Sequence, residues 1–271
     1  MLTAVVIMAV AGALFGALLA YAARRFAVPV DERTEAITGV LPGANCGGCG
    51  FAGCSGLAAA IAAGKAPVDA CPVGGSRVAA LVGKIMGMAV EAARERRVAR
   101  VLCGGGPRCR DNYVYAGIPD CRAAAAMPGA GPKACGWACL GLGTCVRACP
   151  FGALSMGPEG LPVVDPEKCT ACGKCVTACP HGCIILVPES AQVHVLCRNR
   201  ERGPVVRKTC QVGCIACRAC ERVCPTGAIK VKDNCAEIDY SLCTNCGACV
   251  EKCPVHTIVQ NFSQETLAQA S

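Results

Sequence analysis

The chain has 271 residues, and 27 of them are cysteine, about one residue in ten. Such a share is typical of small secreted disulfide scaffolds, but this chain is too long for that class. Its aromatic content of 4% excludes a conventional globular enzyme domain. Its closely spaced cysteines favour the binding of a metal or a cluster. The formal net charge of +8 would suggest an anionic partner such as nucleic acid, although that count treats every cysteine as a neutral thiol.

The first predicted element is an apolar stretch at the N-terminus. Residues 1–23 carry no charged side chain, and Arg24 and Arg25 follow directly. About 20 apolar residues span a bilayer core, so we expect a transmembrane anchor over residues 1–25. A cleavable signal peptide is the alternative, but such peptides carry positive charge before the apolar region. By the positive-inside rule, the arginine pair places the bulk of the chain in the cytoplasm, at the inner cell membrane.

A first cysteine group follows residues 26–40, which we expect to form a polar linker or short helix. Three thiolates on a glycine-rich loop and a fourth beyond a short helix over residues 55–63 can hold one 4Fe–4S cluster. Zinc is the alternative, but zinc sites usually pair two C-x-x-C motifs. We assign this domain to residues 41–100 and predict a second helix over Ser76–Leu102. The four predicted ligands of this cluster, spaced C-x2-C-x4-C-x16-C, are Cys46, Cys49, Cys54 and Cys71.

Four Cys-Pro pairs then recur along the chain, at residues 149–150, 179–180, 224–225 and 253–254. Three of them end a complete bacterial ferredoxin run, C-x2-C-x2-C-x3-C-P, and a short apolar stretch that predicts a strand follows each pair. The pattern predicts two tandem ferredoxin-like domains, residues 135–190 and 210–260, with a connection at 191–209 and a tail at 261–271. The expected fold class is therefore α+β, with one transmembrane helix, a small helical cluster domain and two ferredoxin-like domains of two clusters each.

In two-cluster ferredoxins the fourth cysteine of each run binds the other cluster. Applied to the complete runs, this rule predicts three ligand sets: Cys149, Cys169, Cys172 and Cys175; Cys214, Cys217, Cys220 and Cys253; Cys224, Cys243, Cys246 and Cys249.

The first repeat departs from the motif, because Leu142 stands where a cysteine is expected. Cys135 could replace the missing thiolate, which predicts the set Cys135, Cys139, Cys145 and Cys179. A sixth cluster is plausible in a cysteine-containing insert, residues 101–134. Its ligands would be Cys103, Cys109 and Cys121 with one further thiol from Cys135, Cys197 or Cys210. Cys183 and Cys235 lie in predicted strands and are expected to be buried free thiols.

No catalytic residue and no other cofactor site is predicted. The chain lacks a phosphate-binding G-x-G-x-x-G motif, and its basic stretches lack the interleaved aromatics of a nucleic-acid surface, so no nucleic-acid partner is expected. One oxidised four-thiolate cluster carries a charge of about −2, so six clusters change the formal +8 to about −4. One-electron transfer is the chemistry that remains.

The combination of anchor, C-x2-C-x4-C-x16-C group and paired ferredoxin runs resembles the B subunit family of Rnf-type ion-translocating ferredoxin:NAD oxidoreductase complexes, in its longer polyferredoxin form. Residues 41–54 with Cys71, residues 139–145 and the last two runs carry the resemblance. It implies a translocase subunit that accepts electrons from soluble ferredoxin and relays them to membrane redox subunits, with flavins, the NAD site and sodium or proton transport on other subunits. A polyferredoxin carrier serving another oxidoreductase and a zinc-stapled scaffold are the alternatives.

Overall fold

The computed structural model describes residues 2–26, 31–89 and 95–260. The predicted apolar helix is present as α1 (Leu2–Arg25), whose 24 residues extend about 36 Å, enough to cross a hydrocarbon core. Its window Val6–Arg25 has a mean hydropathy of 2.2, and none of it is buried against the rest of the described protein. By length and composition, α1 can span a membrane.

Three helices form a small domain behind α1. They are α2 (Glu32–Val40), α3 (Cys54–Ala62) and α4 (Gly75–Met86). Ile37 of α2 is completely buried against Leu57 and Ile61 of α3 and Val82 of α4. Most of the predicted linker at 26–40 is therefore a structural part of this domain, while its residues 27–30 lie outside the described residues.

The helix predicted over Ser76–Leu102 is wrong in its second half. Gly87 adopts a left-handed conformation with φ of 67°, and the amide of Met88 donates to the carbonyl of Gly83 at 2.9 Å, which ends α4. Residues 90–94 lie outside the described residues, and β1 (Arg97–Val101) follows them. Val98 and Val101 are buried in this strand because it pairs with a later part of the chain.

The first ferredoxin-like domain contains β1 and six further elements, α5 (Cys121–Ala125), α6 (Thr144–Arg147), β2 (Leu154–Met156), β3 (Pro162–Val164), α7 (Lys174–Ala178) and β4 (Ile184–Pro188). Strands β2 and β3 form an antiparallel hairpin. Strand β1 pairs antiparallel with β4, so that Arg97 lies opposite Pro188 and Val101 opposite Ile184. The domain thus takes a strand from before its predicted start at residue 135.

The second ferredoxin-like domain repeats this topology with β5 (Val193–Val195), α8 (Gly203–Thr209), α9 (Ala219–Val223), β6 (Ile229–Lys232), β7 (Cys235–Ile238), α10 (Ala248–Glu251) and β8 (Ile258–Gln260). Strands β6 and β7 form the hairpin, and β5 pairs antiparallel with β8. The predicted connection at 191–209 therefore supplies β5. The strands predicted after the Cys-Pro pairs are confirmed as β2, β4, β6 and β8.

The predicted insert links the two ferredoxin-like domains. The amide of Arg110 donates to the carbonyl of Thr209 at 2.9 Å, and the amide of Gly104 donates to the carbonyl of Leu196 at 3.0 Å. An isolated β-bridge also joins Cys109 to Cys210. Residues 103–111 are therefore held against the start of the second domain.

Cysteines form a large part of both ferredoxin-like cores. Cys169 and Cys175 are buried beside Ile184 in the first core, and Cys214 and Cys249 beside Ile229 in the second. Helices α5 to α10 have only four to seven residues, and each sheet has two strands. Elements this short are not stable alone in water, so groups bound by the cysteines would contribute to the stability of both domains.

Candidate metal centres

The cysteines of the C-x2-C-x4-C-x16-C motif lie at the helical domain, and we call this set site 1 (Cys46, Cys49, Cys54 and Cys71). Cys49, Cys54 and Cys71 pack on the core of α2 to α4. The amide of Gly74 donates to the Cys71 sulfur at 3.4 Å. Burial raises the pKa of Cys71, and the nearby sulfurs of Cys54 and Cys49 add to the shift. Thiolates crowded in this way need a cationic partner such as iron.

Site 2 consists of Cys149, Cys169, Cys172 and Cys175. Burial, with the neighbouring Cys169 and Cys172, raises the pKa of Cys175 to about 12. Backbone amides approach two of the sulfurs, from Ala99 to Cys169 at 3.4 Å and from Ala153 to Cys149 at 3.4 Å. Cys169, Cys172 and Cys175 thus lie close together, and Cys149 packs against the same core. The ligand-swap rule predicts all four as ligands of this site.

Sites 1 and 2 touch through their loops. A Cβ atom at Gly48 would lie 2.5 Å from the carbonyl oxygen of Cys172, so the approach requires glycine. Cys46 and Cys172 also line one open cleft of about 1080 Å³. All residues of its lining lie in the described part of the chain, and they include four cations, Arg97, Arg122, Arg147 and Lys174, and no carboxylate.

Site 3 differs from the sequence prediction. One cavity is lined by Cys121, Cys139, Cys145 and Cys179, and these four residues define the site. Burial, with the neighbouring Cys121 and Cys179, raises the pKa of Cys145 to about 11. Cys121 therefore lines this cavity in place of the cysteine that the motif would have at residue 142.

A small polar network fixes Cys121 beside α6. The Asp120 carboxylate accepts from the amides of Arg122 and Ala123 and thereby caps α5. The Thr144 hydroxyl donates to Asp120 at 3.0 Å and accepts from the amide of Cys121 at 2.7 Å. Thr144 is the first residue of α6, and Cys145 follows it in that helix. The network therefore places Cys121 of α5 next to Cys145 of α6.

Cys135 lies in a different cavity, which corrects its predicted place in site 3. A β-bridge joins Lys133 to Asp111, and the amide of Ala134 donates to the carbonyl of Arg110 at 2.8 Å. This pairing holds Cys135 against the insert. There it lies with the members of site 4, which are Cys103, Cys109, Cys135 and Cys210.

Site 4 lies between the two ferredoxin-like domains. Hydrogen bonds with the Cys135 and Cys210 thiols lower the pKa of Cys109 to about 3. The buried amide side chain of Asn199 donates to the Cys135 sulfur at 3.1 Å. Cys197 also lines the cavity, but it packs on the core of the second domain instead of with the other four. Of the residues expected for a sixth cluster, Cys103, Cys109 and Cys210 are together here, while Cys121 belongs to site 3.

The last two runs exchange their fourth cysteines. One cavity is lined by Cys214, Cys217, Cys220 and Cys253, which define site 5, and another by Cys224, Cys243, Cys246 and Cys249, which define site 6. Burial and the neighbouring Cys243 and Cys224 raise the pKa of Cys249 to about 11. The geometry therefore has the crossing that the ferredoxin motif predicts.

Two cysteines outside these sets are almost completely buried. The Cys183 thiol donates to the carbonyl of Trp137 at 3.2 Å, and the Cys235 thiol donates to the carbonyl of Cys197 at 3.2 Å. Cys183 also borders the cavity of site 3. Burial of both thiols agrees with the expectation from the strand pattern.

Backbone amides approach several of the cysteine sulfurs. Amides that donate to Cys71, Cys149, Cys169 and Cys179 supply the hydrogen bonds typical of cluster ligands.

The residues that precede α6, α7, α9 and α10, the short helices of the four repeats, share an unusual backbone conformation. Gly143, Gly173 and Gly247 have φ between 70° and 75°, and Arg218 has φ of 58° at the matching position. A side chain in this left-handed region costs about 1 kcal/mol relative to glycine. The backbone at Arg218 is therefore strained, whereas the matching position in the other three repeats is glycine and carries no such strain.

Replacing Cys121 tests its place in site 3. We expect Cys121→Ala to lower the iron content by about four atoms per chain, because site 3 loses a ligand. Cys183→Ala is the matched control, since it removes a buried sulfur beside the same cavity and should leave the iron content unchanged. The measurement is iron and acid-labile sulfide per chain in anaerobically purified protein. The reverse result would transfer the ligand role to Cys183.

Comparison with known protein families agrees with this geometry. A family described as "Putative Fe-S cluster" matches residues 41–73, and one described as "4Fe-4S dicluster domain" matches residues 135–183 and 213–257. The first region contains site 1, and the other two contain most of the cysteines of sites 2 to 6.

Three curated proteins are similar over nearly the whole chain. The B subunit of a Na(+)-translocating ferredoxin:NAD(+) oxidoreductase complex from Acetobacterium woodii is 49% identical over 93% of this chain and 75% of its own length. The B subunit of an ion-translocating oxidoreductase complex from Methanosarcina acetivorans is 45% identical, over 95% and 97%. The B subunit of a proton-translocating ferredoxin:NAD(+) oxidoreductase complex from Clostridium ljungdahlii is 46% identical, over 98% and 94%.

Proposed function

The chain belongs to the family of B subunits of ion-translocating oxidoreductase complexes, and we propose that it carries electrons from reduced ferredoxin to the membrane redox subunits of such a complex. It is an iron–sulfur electron-transfer subunit of an oxidoreductase, as its dicluster domains and relatives show. The donor, the ligands and the orientation in the membrane are parts of the proposal.

We assign one 4Fe–4S cluster to each of the six sites. Such clusters, when bound, supply one-electron carriers whose potentials depend on hydrogen bonds to their sulfurs and on exposure to solvent. The chain contributes 24 cysteines in six sets, backbone amides that donate to the sulfurs, and apolar cores that keep water from most of them. The ligands are the members of sites 1 to 6 as defined above.

The proposal is supported by contacts that join each site to the next along the chain. Site 1 meets site 2 where Gly48 lies against Cys172. Site 2 meets site 3 in the core of the first ferredoxin-like domain, where Cys145 and Cys175 are both buried. The amide of Cys139, a member of site 3, donates to the Cys103 sulfur of site 4 at 3.3 Å.

The series continues into the second ferredoxin-like domain. A Cβ atom at Gly213, next to Cys214 of site 5, would lie 3.4 Å from the Cβ of Cys210 in site 4. Sites 5 and 6 share the core in which Cys220 and Cys249 are buried. The six sites therefore follow one another from the domain behind α1 to the C-terminal domain, an order that suits a relay.

The two ends of the series differ in a way that supports a direction. Site 1 lies in the domain that directly follows α1, the helix that can span a membrane. Sites 5 and 6 have the two exposed cysteines, Cys217 and Cys246. We therefore propose that soluble ferredoxin donates at the C-terminal domain, that membrane subunits accept near site 1, and that the bulk of the chain is cytoplasmic, next to Arg24 and Arg25.

Deleting residues 1–25 tests the membrane relay. The shortened chain should keep about 24 irons, four per site, because no ligand precedes Cys46. In membranes that lack the native chain, the full-length protein should restore ferredoxin-dependent reduction of NAD, whereas the shortened chain should remain in the soluble fraction and restore little of it.

Other outcomes would select the alternatives. A shortened chain that restores full activity from the soluble fraction would identify a polyferredoxin carrier that needs no anchor. Zinc in place of iron, with no reducible signal in electron paramagnetic resonance, would identify a zinc-stapled scaffold.

A further inference from the structure

The two exposed cysteines have different surroundings. Among the cysteines, all of which lie in the described residues, only Cys217 and Cys246 are exposed. The loop around Cys246 is neutral and is tied to the segment between β4 and β5. The Asn245 side chain accepts from the amide of Gln192 at 3.0 Å and donates to the carbonyl of Ser190 at 3.0 Å.

The loop around Cys217 is basic instead. Arg218 follows directly, is exposed, and lines the cavity of site 5. Arg222 is also exposed, and its guanidinium donates to the carbonyl of Cys217 at 3.4 Å. A Cβ atom at Gly203 would lie 2.5 Å from the carbonyl oxygen of Ile215, so the exposed Arg202 that precedes Gly203 lies near the same loop.

Strain at Arg218 shows that this charge is placed at a cost to the fold. The matching residue is glycine in the three other repeats, and the left-handed backbone favours glycine at all four positions. Gly247 is in addition crowded, because a Cβ atom there would lie 2.5 Å from the Gln260 side chain. Only the loop around Cys217 combines exposure, an arginine at this position and two further guanidinium groups.

We propose that the arginine surface, formed by Arg202, Arg218 and Arg222 around Cys217, docks the acidic face of a one-electron carrier protein. Guanidinium groups bind carboxylates through paired hydrogen bonds, and clustered positive charge attracts an acidic protein before contact. One electron passes from the reduced carrier, which is oxidised, to this chain, which is reduced, and no bond is made or broken. This inference rests on the proposed function, because it names the docking surface for the donor.

The test uses the full-length, iron-loaded chain and an acidic two-cluster ferredoxin as the probe. Arg218→Gly should fold at least as well as the native chain, because glycine relieves the strained backbone. We expect its affinity for ferredoxin at low ionic strength to fall about tenfold, and the dependence of affinity on salt to weaken. Arg222→Gln should act in the same direction. Lys230→Gln is the matched control, since it removes an exposed positive charge from strand β6 and should change neither quantity.

Each other outcome overturns the proposal in a different way. If the native chain binds ferredoxin and both arginine variants bind it equally well with the same salt dependence, the carrier docks elsewhere and the proposed function stands. If the variants shift the reduction potential of site 5 and leave binding unchanged, the arginines act on the charge of the site and not on a partner. If the native chain neither binds ferredoxin nor accepts its electrons, the donor in the proposed function is wrong as well.

Discussion

Cys253→Ala should remove about four irons from site 5 and leave site 6 intact, although Cys253 belongs by sequence to the run that begins at Cys243. The expectation follows from the cavity that Cys253 shares with Cys214, Cys217 and Cys220. Cys224→Ala should have the mirror effect, because Cys224 lines the cavity of site 6.

Pairs of substitutions show which cysteines share a cluster. Cys253→Ala with Cys217→Ala should lose no more iron than either change alone, because both act on site 5. Cys253→Ala with Cys246→Ala should lose about eight irons, because the two changes act on separate sites. The measurement is the iron and acid-labile sulfide content of each anaerobically purified variant. If the iron loss of Cys253→Ala instead adds to that of Cys217→Ala and not to that of Cys246→Ala, the proposed exchange of the fourth cysteines is wrong.

Removing iron should unfold both ferredoxin-like domains. Their strands have three to five residues, their helices four to seven, and their buried cores contain cysteines that the clusters would join. The free energy of cluster binding is then largely the free energy of folding, as in small metal-dependent domains. We expect chelation to abolish the strand signal in circular dichroism and to make residues 97–260 sensitive to protease.

The helical domain provides an internal control in the same experiment. Its fully buried core residues, such as Ile37, Leu57, Ile61 and Val82, include no cysteine, since Cys49, Cys54 and Cys71 pack only at the edge of that core as partly buried residues. Helices α2, α3 and α4 have nine to twelve residues. Helical signal should therefore outlast strand signal as iron is removed, and iron with sulfide should restore the strands. Ferredoxin-like domains that stay protease-resistant without iron would contradict a cluster-dependent fold.

Local motifs predicted the repeats well because each motif sets its own geometry. The strand after every Cys-Pro pair and the exchange of Cys224 and Cys253 were inferred from spacing alone. Sites 3 and 4 were harder, because their members lie far apart in sequence. The choice between Cys121 and Cys135 depends on the Asp120–Thr144 network and on the bridge between Asp111 and Lys133, which no spacing reveals.

Pairing with distant segments explains the other errors. Val98 and Val101 fit a helical stripe as well as a strand, and only the partner β4 selects the strand. Strand β5 was hidden in the predicted connection for the same reason, since β8 lies more than 60 residues later. Asn199 was not identified, although its buried amide donates to the Cys135 sulfur, because a single asparagine carries no sequence signal.

The position of site 4 also constrains how the protein is made. Its cysteines lie at residues 103, 109, 135 and 210, so the set is incomplete until a ribosome has passed residue 210. The cysteines of site 1 are all synthesised by residue 71, and those of sites 2 and 3 by residue 179. Iron delivery to the first half of the chain can therefore begin during translation. Site 4 and the crossed sites 5 and 6 must wait for the second half, and they close last.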